Sequence, residues 1–238
     1  MNLSDNIESV KERIGQAAVR NGRDADDILL VAATKLQSVE KLIEARDCGL
    51  KVFGENKVQE LVDKYPNIEG VRWHLIGHLQ KNKVKYIIDK VDMIHSVDSL
   101  ELAQEINKRA SKINKKISVL IQVNIGREES KSGLMEEQLE ETCEGLTSLE
   151  NICVQGLMAI PPAERYPGEA RGYFKRMKSL YDRVSYNNYK GFDMKFLSMG
   201  MTDDFEEAIE EGANIVRVGT GIFGKRDYTG GNKNVKEL

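Results

Sequence analysis

The hydrophobic positions of the chain fall into eight short apolar runs that alternate with stretches of helical periodicity. Continuous apolar runs of this kind are typical of strands that are buried on both faces of a parallel sheet. Eight strands that alternate with helices predict an α/β fold, a (β/α)8 TIM-type barrel, with a doubly wound sheet as the main competitor. The runs cover residues 28–34, 50–54, 71–77, 92–97, 117–124, 152–159, 194–199 and 214–219.

A further helix is predicted before the first strand. Residues 5–20 place Ile7, Val10 and Ile14 on one helical face, and Asp5 and Glu8 have the spacing of a capping box. No second set of elements is visible, so residues 1–238 are predicted to form a single barrel domain with an extra N-terminal helix.

Composition excludes several classes of protein. The net charge of −3 gives no overall electrostatic reason to expect nucleic acid or an anionic membrane as a partner. No apolar stretch reaches the roughly 20 residues that span a bilayer, and the N-terminus lacks the order of a signal peptide. Cys48, Cys143 and Cys153 are widely spaced and predict neither a disulfide framework nor a zinc site. A soluble, cytoplasmic protein is expected.

Lys35 is the first candidate for chemistry. It ends the first apolar run, and a helical pattern entered through Ser38, a good N-cap, follows directly. The lysine should therefore lie at the carboxyl end of a strand, where barrel enzymes place their active sites. An amine there can form a Schiff base with an aldehyde. The alternative is a lysine that extends from a strand end to solvent.

Two turns of small residues follow the last two predicted strands. Glycine lets backbone N–H groups approach an anion, and hydroxyl groups add donors. The loops after strands seven and eight are a recurrent phosphate site in barrel enzymes, although any strand-to-helix turn can require glycine. The residues concerned are Ser198, Met199, Gly200 and Thr202 in the first turn and Gly219 and Thr220 in the second.

Four polar residues lie in or beside predicted strands. Arg217 interrupts the last strand, where it is either a structural ion pair or a donor to a ligand. Asn56 is an N-cap, a ligand contact or both. His74 and His78 should lie on the same side of the third strand, with His78 at the rim. Their spacing does not fit the helical His-Glu-x-x-His motif, so no metal site is predicted.

Two long loops are expected at the same rim as Lys35. Residues 126–133 follow the fifth strand, and a connection that contains Pro161, Pro162 and Pro167 follows the sixth. Plain surface loops are the default interpretation, and a lid over the barrel mouth is the alternative.

Together these segments resemble the pyridoxal phosphate homeostasis proteins, which are single-domain relatives of the N-terminal barrel of alanine racemase. The resemblance is carried by seven motifs spread over residues 31–224. They are Val-Ala-Ala-Thr-Lys35, Phe-Gly-Glu-Asn56, Trp-His-Leu-Ile-Gly-His78, Lys131-Ser-Gly133, Gly156-Leu-Met-Ala159, Leu197-Ser-Met-Gly-Met201 and Arg217-Val-Gly-Thr-Gly-Ile-Phe-Gly224. Departures from the family pattern are mild and comprise Lys57, Leu134 and Thr202.

The resemblance implies pyridoxal 5'-phosphate (PLP) as cofactor, held as an internal aldimine on Lys35. It implies that Arg217 faces the pyridine nitrogen and that Asn56 and Met158 line the cofactor. It also implies a phosphate site made by Ser198, Gly200, Gly219 and Thr220, with backbone donation from Met199. An arginine stays protonated at accessible pH, so the ring beside it should remain neutral and act as a weak electron sink.

The function implied is PLP homeostasis, in which the cofactor is bound and released rather than used for efficient catalysis. The alternative enzyme is an amino-acid racemase of low activity, which needs a second base opposite Lys35. In the racemases that base comes from a C-terminal domain, and Tyr228 is the nearest candidate here. A cofactor-free regulatory module is a third reading. The expected partners are PLP, other B6 vitamers and apo-enzymes that use PLP, and a monomer or weak dimer is expected.

Overall fold

Eight parallel strands form a closed barrel in the computed structural model of the chain, which describes residues 2–163, 166 and 168–224. The strands pair in chain order, and β1 pairs with β8 to close the sheet. They are β1 (Leu29–Ala33), β2 (Val52–Glu55), β3 (Arg72–Leu75), β4 (Met93–Val97), β5 (Ile117–Val123), β6 (Ile152–Ala159), β7 (Phe192–Ser198) and β8 (Ile215–Val218). Each predicted run overlaps one strand, and the predicted barrel is confirmed.

Helices connect the strands on the outside of the barrel. They are α1 (Leu3–Arg20), α2 (Val39–Asp47), α3 (Val58–Lys64), α4 (Leu100–Ser111), α5 (Leu139–Leu146), α6 (Ala170–Asn187), α7 (Phe205–Glu210) and α8 (Thr220–Phe223). Between β3 and β4 the segment Lys81–Tyr86 forms a 3-10 turn instead of an α-helix, with Val84 as its buried residue. Lys81, Lys83 and Lys85 therefore lie on a short turn.

The extra N-terminal helix, α1, is confirmed and begins earlier than predicted. The side chain of Asn2 accepts a hydrogen bond from the backbone of Asp5, whose own side chain accepts from the backbone of Asn2. This pair forms the capping box in place of Asp5 and Glu8. The apolar face of α1 is buried and packs against α7 and α8.

The core has two layers. Apolar side chains such as Val31, Met93 and Ile215 fill the inside of the barrel, and a larger cluster fills the space between strands and helices. The inside of the barrel also holds buried polar groups near the carboxyl ends of the strands, among them His95 and Arg217. Within the described part of the chain, no helix combines the length and the apolar character that a membrane crossing requires.

Candidate functional site

A pocket of about 200 Å³ opens at the carboxyl ends of the strands. Six of the predicted site residues meet there, although they come from four different parts of the chain: Lys35, Asn56, Thr202, Arg217, Gly219 and Thr220. The remaining lining residues are Ala33, Gln37, Ile76, Ile160, Met201, Asp203, Phe223 and Gly224. The lining therefore combines apolar side chains with amine, guanidinium, amide, hydroxyl and carboxylate groups.

Lys35 lies on the turn between β1 and α2, half-buried at the edge of the pocket. The strand ends at Ala33, and Leu36 then adopts a left-handed backbone conformation with φ of +62°. The hydroxyl of Ser38 caps α2, as predicted, by accepting from the backbone N–H of Lys41. The lysine therefore sits on a tight, well-defined turn at the barrel mouth.

The turns after β7 and β8 lie side by side. The backbone N–H of Gly221 donates to Thr202 Oγ1 over 3.2 Å, which joins the two turns directly. Both the hydroxyl-bearing Thr202 and the pair Gly219 and Thr220 line the pocket. Hydroxyl groups and backbone amides that converge in this way are suited to bind a phosphate group.

Two side chains from the first quarter of the chain support the short helix α8. Asn6 Nδ2 donates to the carbonyl of Ile222 over 3.0 Å, and Lys41 Nζ donates to the carbonyl of Phe223 over 2.8 Å. These donors satisfy carbonyl groups that a helix end leaves without an intrahelical partner. The turn that presents Thr220 is thereby fixed to α1 and α2.

Three residues predicted at the phosphate lie behind the pocket wall. Ser198 is fully buried inside the barrel, and Met199 packs in the layer between strands and helices. Gly200 has φ of +92°, and a Cβ atom there would lie 2.6 Å from Ala208 Cβ, so its glycine permits close packing on α7. A direct phosphate contact by these residues stays a prediction.

Met158 and His78 also lie apart from the pocket lining. Met158 is buried inside the barrel. His78 is exposed at the rim, where Nδ1 lies 3.1 Å from Ser132 Oγ and 3.3 Å from Asp98 Oδ2. Because β3 ends at Leu75, the strand alternation does not extend to His78, and it does not share the interior position of His74. Contacts of Met158 and His78 with a cofactor stay predictions.

Asn56 lines the pocket but does not cap the following helix. The N-cap of α3 is Lys57, which makes no capping hydrogen bond with its side chain. The backbone N–H of Asn56 instead donates to Glu55 Oε2 over 3.1 Å. Of the two predicted roles, the helix cap is wrong, and the contact with a ligand stays a prediction.

The two rim loops contact each other beside the pocket. Lys131 Nζ donates to the carbonyl of Pro161 over 2.9 Å, and Gly126 lies against Pro162. Pro167 lies outside the described residues. The contact shows that both loops lie at one rim, as expected.

Arg217 is buried below the pocket, and its hydrogen bonds go to neutral oxygen atoms. Nη1 donates to Ser198 Oγ over 2.5 Å, and Nη2 donates to the carbonyl of Ala159 over 2.9 Å. Among the described residues no ion pair joins this guanidinium to a carboxylate, which argues against the structural ion pair considered above. Burial lowers the pKa of Arg217 to about 10, and the charge of Asp204 opposes this shift. The side chain is therefore cationic at neutral pH and acts only as a donor.

This donor fixes the protonation of two buried histidines. Ser198 Oγ accepts from Arg217, so its own hydrogen points to His95 Nδ1 at 3.1 Å. His95 Nδ1 is then an acceptor, and the neutral ring carries its hydrogen on Nε2, which donates to His74 Nδ1 at 3.0 Å. The chain of hydrogen bonds therefore runs in one direction, from Arg217 to His74, with both imidazole rings neutral.

Acid should destabilise the protein through these histidines. Burial lowers the pKa of His74 to about 3, with a smaller contribution from the charge of Arg72. Because the unfolded chain binds the proton more tightly, the free energy of unfolding falls as the pH drops from about 6.5 toward 3. The expected slope is about 1.4 kcal/mol per pH unit for one such group. Urea unfolding between pH 5 and 6.5 measures it.

Matched histidine variants separate this effect from the titration of carboxylates. His74→Gln should lower the slope by about 1.4 kcal/mol per pH unit, the contribution of one group, and His78→Gln, at an exposed site, is the control. Equal slopes for the wild type and His74→Gln would show that the buried ring does not resist protonation.

Sequence reasoning missed a buried charged cluster beside Lys35. Glu55 is fully buried at the end of β2, and Lys64 of α3 approaches it to 2.5 Å. The sequence did contain one indication of this cluster, the charged Glu55 in the otherwise apolar strand Val52–Glu55. A buried carboxylate requires a partner. The spacing of Glu60 and Lys64 by four residues is common on solvated helix surfaces, so it did not indicate a buried ion pair.

The chain is similar to proteins of one family over nearly its whole length. Residues 2–227 match the family described as alanine racemase, N-terminal domain. A pyridoxal phosphate homeostasis protein of Aquifex aeolicus is 47% identical over 232 residues, which cover 96% of this chain and 100% of that protein. The protein of the same name from Escherichia coli K12 is 37% identical and covers 95% of this chain and 98% of its own length.

Solved structures agree with this similarity. PipY of Synechococcus elongatus, at 28% identity, superposes with a TM-score of 0.84 without PLP and 0.81 with PLP bound, covering 94% of this chain and 100% of PipY in each case. An alanine racemase of Clostridium difficile is 18% identical, with a TM-score of 0.74, and covers 94% of this chain but 57% of the racemase. The last comparison concerns the fold alone.

Proposed function

Because the chain belongs to the pyridoxal phosphate homeostasis protein family, within the wider alanine racemase N-terminal domain family, we propose that it binds PLP and serves PLP homeostasis. The observation that carries the proposal is the convergence of four groups on one pocket: the amine of Lys35, the guanidinium of Arg217 and the two joined turns. PipY, a relative of the same fold, has been solved with PLP bound.

The groups that line the pocket fit this cofactor. PLP carries an aldehyde, a phosphate and a heteroaromatic ring, and each meets suitable chemistry. The lining contains an amine, hydroxyl and amide groups, and the side chains of Ala33, Ile76 and Ile160 provide apolar surface. The donor set therefore suits the group.

When bound, PLP supplies an aldehyde that links reversibly to an amine and a ring that withdraws electrons. Lys35 supplies that amine. Thr202, Gly219 and Thr220 supply donors for the phosphate. Arg217 presents a protonated donor from the buried floor of the pocket, held by Ser198 and the carbonyl of Ala159. A cationic donor beside the ring nitrogen disfavours protonation of that nitrogen, which keeps the ring a weak electron sink.

This arrangement favours a carrier over a racemase. A racemase needs proton donors and acceptors on both faces of its substrate, and Lys35 provides one. Tyr228, the candidate for the other face, lies outside the described residues. The neutral ring further reduces the stabilisation of a carbanion.

We therefore expect the loaded protein to release PLP to an apo-enzyme and to racemise alanine only in trace amounts. A positioned acid or base alone typically supplies about 10²–10⁴-fold in rate, and Lys35 can serve only one face of a substrate. The experiment follows activation of an apo-enzyme and, in parallel, formation of D-alanine from L-alanine by chiral chromatography. Turnover in the ordinary range of roughly 1–10³ per second would favour the racemase.

The proposed binding partners are B6 vitamers and apo-enzymes, and the transfer assay can be extended to both. Phosphorylated B6 vitamers without an aldehyde should bind through the phosphate turns and Arg217, but should not link to Lys35. Apo-enzymes that use PLP are the proposed recipients. Separating donor and recipient by a dialysis membrane distinguishes transfer through solution, which continues, from transfer by contact, which stops.

A further inference from the structure

The two neighbours of Lys35 in the chain are both tied to one charged cluster. Lys64 Nζ donates to the carbonyl of Thr34 over 2.9 Å, and the hydroxyl of Thr34 donates to Glu55 Oε1 over 2.6 Å. On the other side, the backbone N–H of Leu36 donates to Glu60 Oε2 over 2.7 Å. The turn that carries Lys35 is thus held on both sides.

Lys64 links these two anchor points. Its ammonium group donates to Glu55 Oε1 over 2.5 Å and to Glu60 Oε2 over 2.9 Å. Glu55 is fully buried and Lys64 nearly so, and in such surroundings a charge is stable only with partners. Burial raises the pKa of the Glu55 carboxyl, and the charge of Lys64 opposes that shift. Each member of the cluster therefore stabilises the others.

The cluster also bears on the backbone of the turn. Leu36 is exposed and has φ of +62°, a conformation that side-chain-bearing residues seldom adopt. Such a conformation persists where surrounding contacts enforce it. Here the enforcing contact is the hydrogen bond from Leu36 N–H to Glu60. The amine of Lys35 takes no part in the cluster and lines the pocket instead.

We propose that Glu55, Glu60 and Lys64 are positioning residues that hold the Lys35 turn in the geometry needed to capture the aldehyde. The proposal rests on the proposed function, since it concerns the reaction of Lys35 with PLP. It assigns Glu60 and Lys64, which lie on α3 outside the pocket, a role in the rate of covalent capture.

The step that depends on this geometry is the condensation of an amine with an aldehyde. The lone pair of deprotonated Lys35 Nζ adds to the aldehyde carbon, and the carbon–oxygen bond breaks. A carbon–nitrogen double bond remains, and the two hydrogens of the amine leave with the oxygen as water. No oxidant or reductant is needed. The rate depends on how the turn aims Nζ, whereas phosphate binding depends on the separate turns after β7 and β8.

The test uses Glu60→Ala, which removes both the acceptor for Leu36 N–H and a partner of Lys64. PLP capture is stopped with borohydride at increasing times, and the modified Lys35 peptide is quantified by mass spectrometry. The expected result is a rate about tenfold lower than wild type, because small misplacements of reacting groups are costly. Affinity for pyridoxine 5'-phosphate, which has no aldehyde, is measured by calorimetry and should stay within about twofold.

Two further variants sharpen the result. Glu60→Gln keeps an acceptor oxygen for Leu36 N–H and should recover most of the rate. Glu105→Ala is the matched control, because Glu105 forms a similar ion pair with Arg109, four residues further along α4. The side chains of Glu105 and Glu60 are also equally exposed, at 20% and 21%. Glu105 lies away from the pocket, and the variant should behave as wild type.

Several outcomes would overturn the proposal. One is capture at the wild-type rate by Glu60→Ala. Another is an equal loss of capture and of pyridoxine 5'-phosphate affinity in that variant, since it would show general loosening of the pocket. If the wild type itself captures no PLP, the proposed function fails together with this inference. Normal capture by both the wild type and Glu60→Ala removes the positioning role alone.

Discussion

Replacing Lys35 with alanine should abolish covalent capture of PLP and leave the barrel folded. The side chain lies half-buried on a turn, outside both apolar clusters of the core, so its removal leaves the packing intact. The phosphate turns and Arg217 are unchanged, so non-covalent binding should persist. The measurement is borohydride reduction of the PLP-loaded protein followed by mass spectrometry of its peptides. Loss of the visible absorption of the lysine-linked cofactor is a second readout.

Lys57→Ala is the matched control, because Lys57 is an exposed lysine on the neighbouring turn, after β2. It should capture PLP as the wild type does. If Lys35→Ala still forms a reduced adduct on another lysine at the wild-type yield, the covalent site is that lysine and the assignment of Lys35 is wrong.

The largest expected effect on stability is that of Gly156→Ala. Gly156 lies within β6 with φ of +153°, and a Cβ atom there would lie 1.7 Å from the carbonyl oxygen of Phe196 on β7. The pairing register of β6 shifts at this point with both neighbouring strands. Alanine must therefore separate two central strands or distort the backbone. The expected loss is more than about 4 kcal/mol in the free energy of unfolding, measured in urea.

Gly172→Ala on α6 provides the comparison. No atom lies within 4 Å of the Cβ position there, and the helix interior favours alanine over glycine by up to about 1 kcal/mol. This variant should be as stable as the wild type or slightly more stable. Similar stability of Gly156→Ala and Gly172→Ala would mean that the irregularity in β6 adapts to a side chain.

The order of strands was predictable because burial on both faces produces continuous apolar runs. The position of Lys35 followed from the same signal, since a run that ends in a lysine before a helix cap indicates a strand end at the barrel mouth. Arg217 was identifiable for a related reason. A charge within a buried strand requires a specific partner, and the structure supplies Ser198 and a carbonyl group.

Other parts of the site depend on depth along the barrel axis, which sequence periodicity does not encode. Ser198 stands in the motif expected at the phosphate, yet its hydroxyl is directed into the barrel toward Arg217 and His95. His78 lies three residues beyond the end of β3, where alternation no longer determines the direction of a side chain. Lys64 reaches Thr34 across thirty positions of sequence, a contact that only the closed fold creates.

Contacts between early and late segments of the chain affect folding during translation. Asn6 and Lys41 support α8, and β1 pairs with β8. Lys35 leaves the ribosome long before the turn with Gly219 and Thr220, because translation runs from the N-terminus. A nascent chain that still lacks β8 therefore carries Lys35 without the turn that holds Gly219 and Thr220 and without the closed barrel. We therefore expect stable retention of PLP only in chains whose β1 and β8 have paired, so that cofactor occupancy would report closure of the barrel.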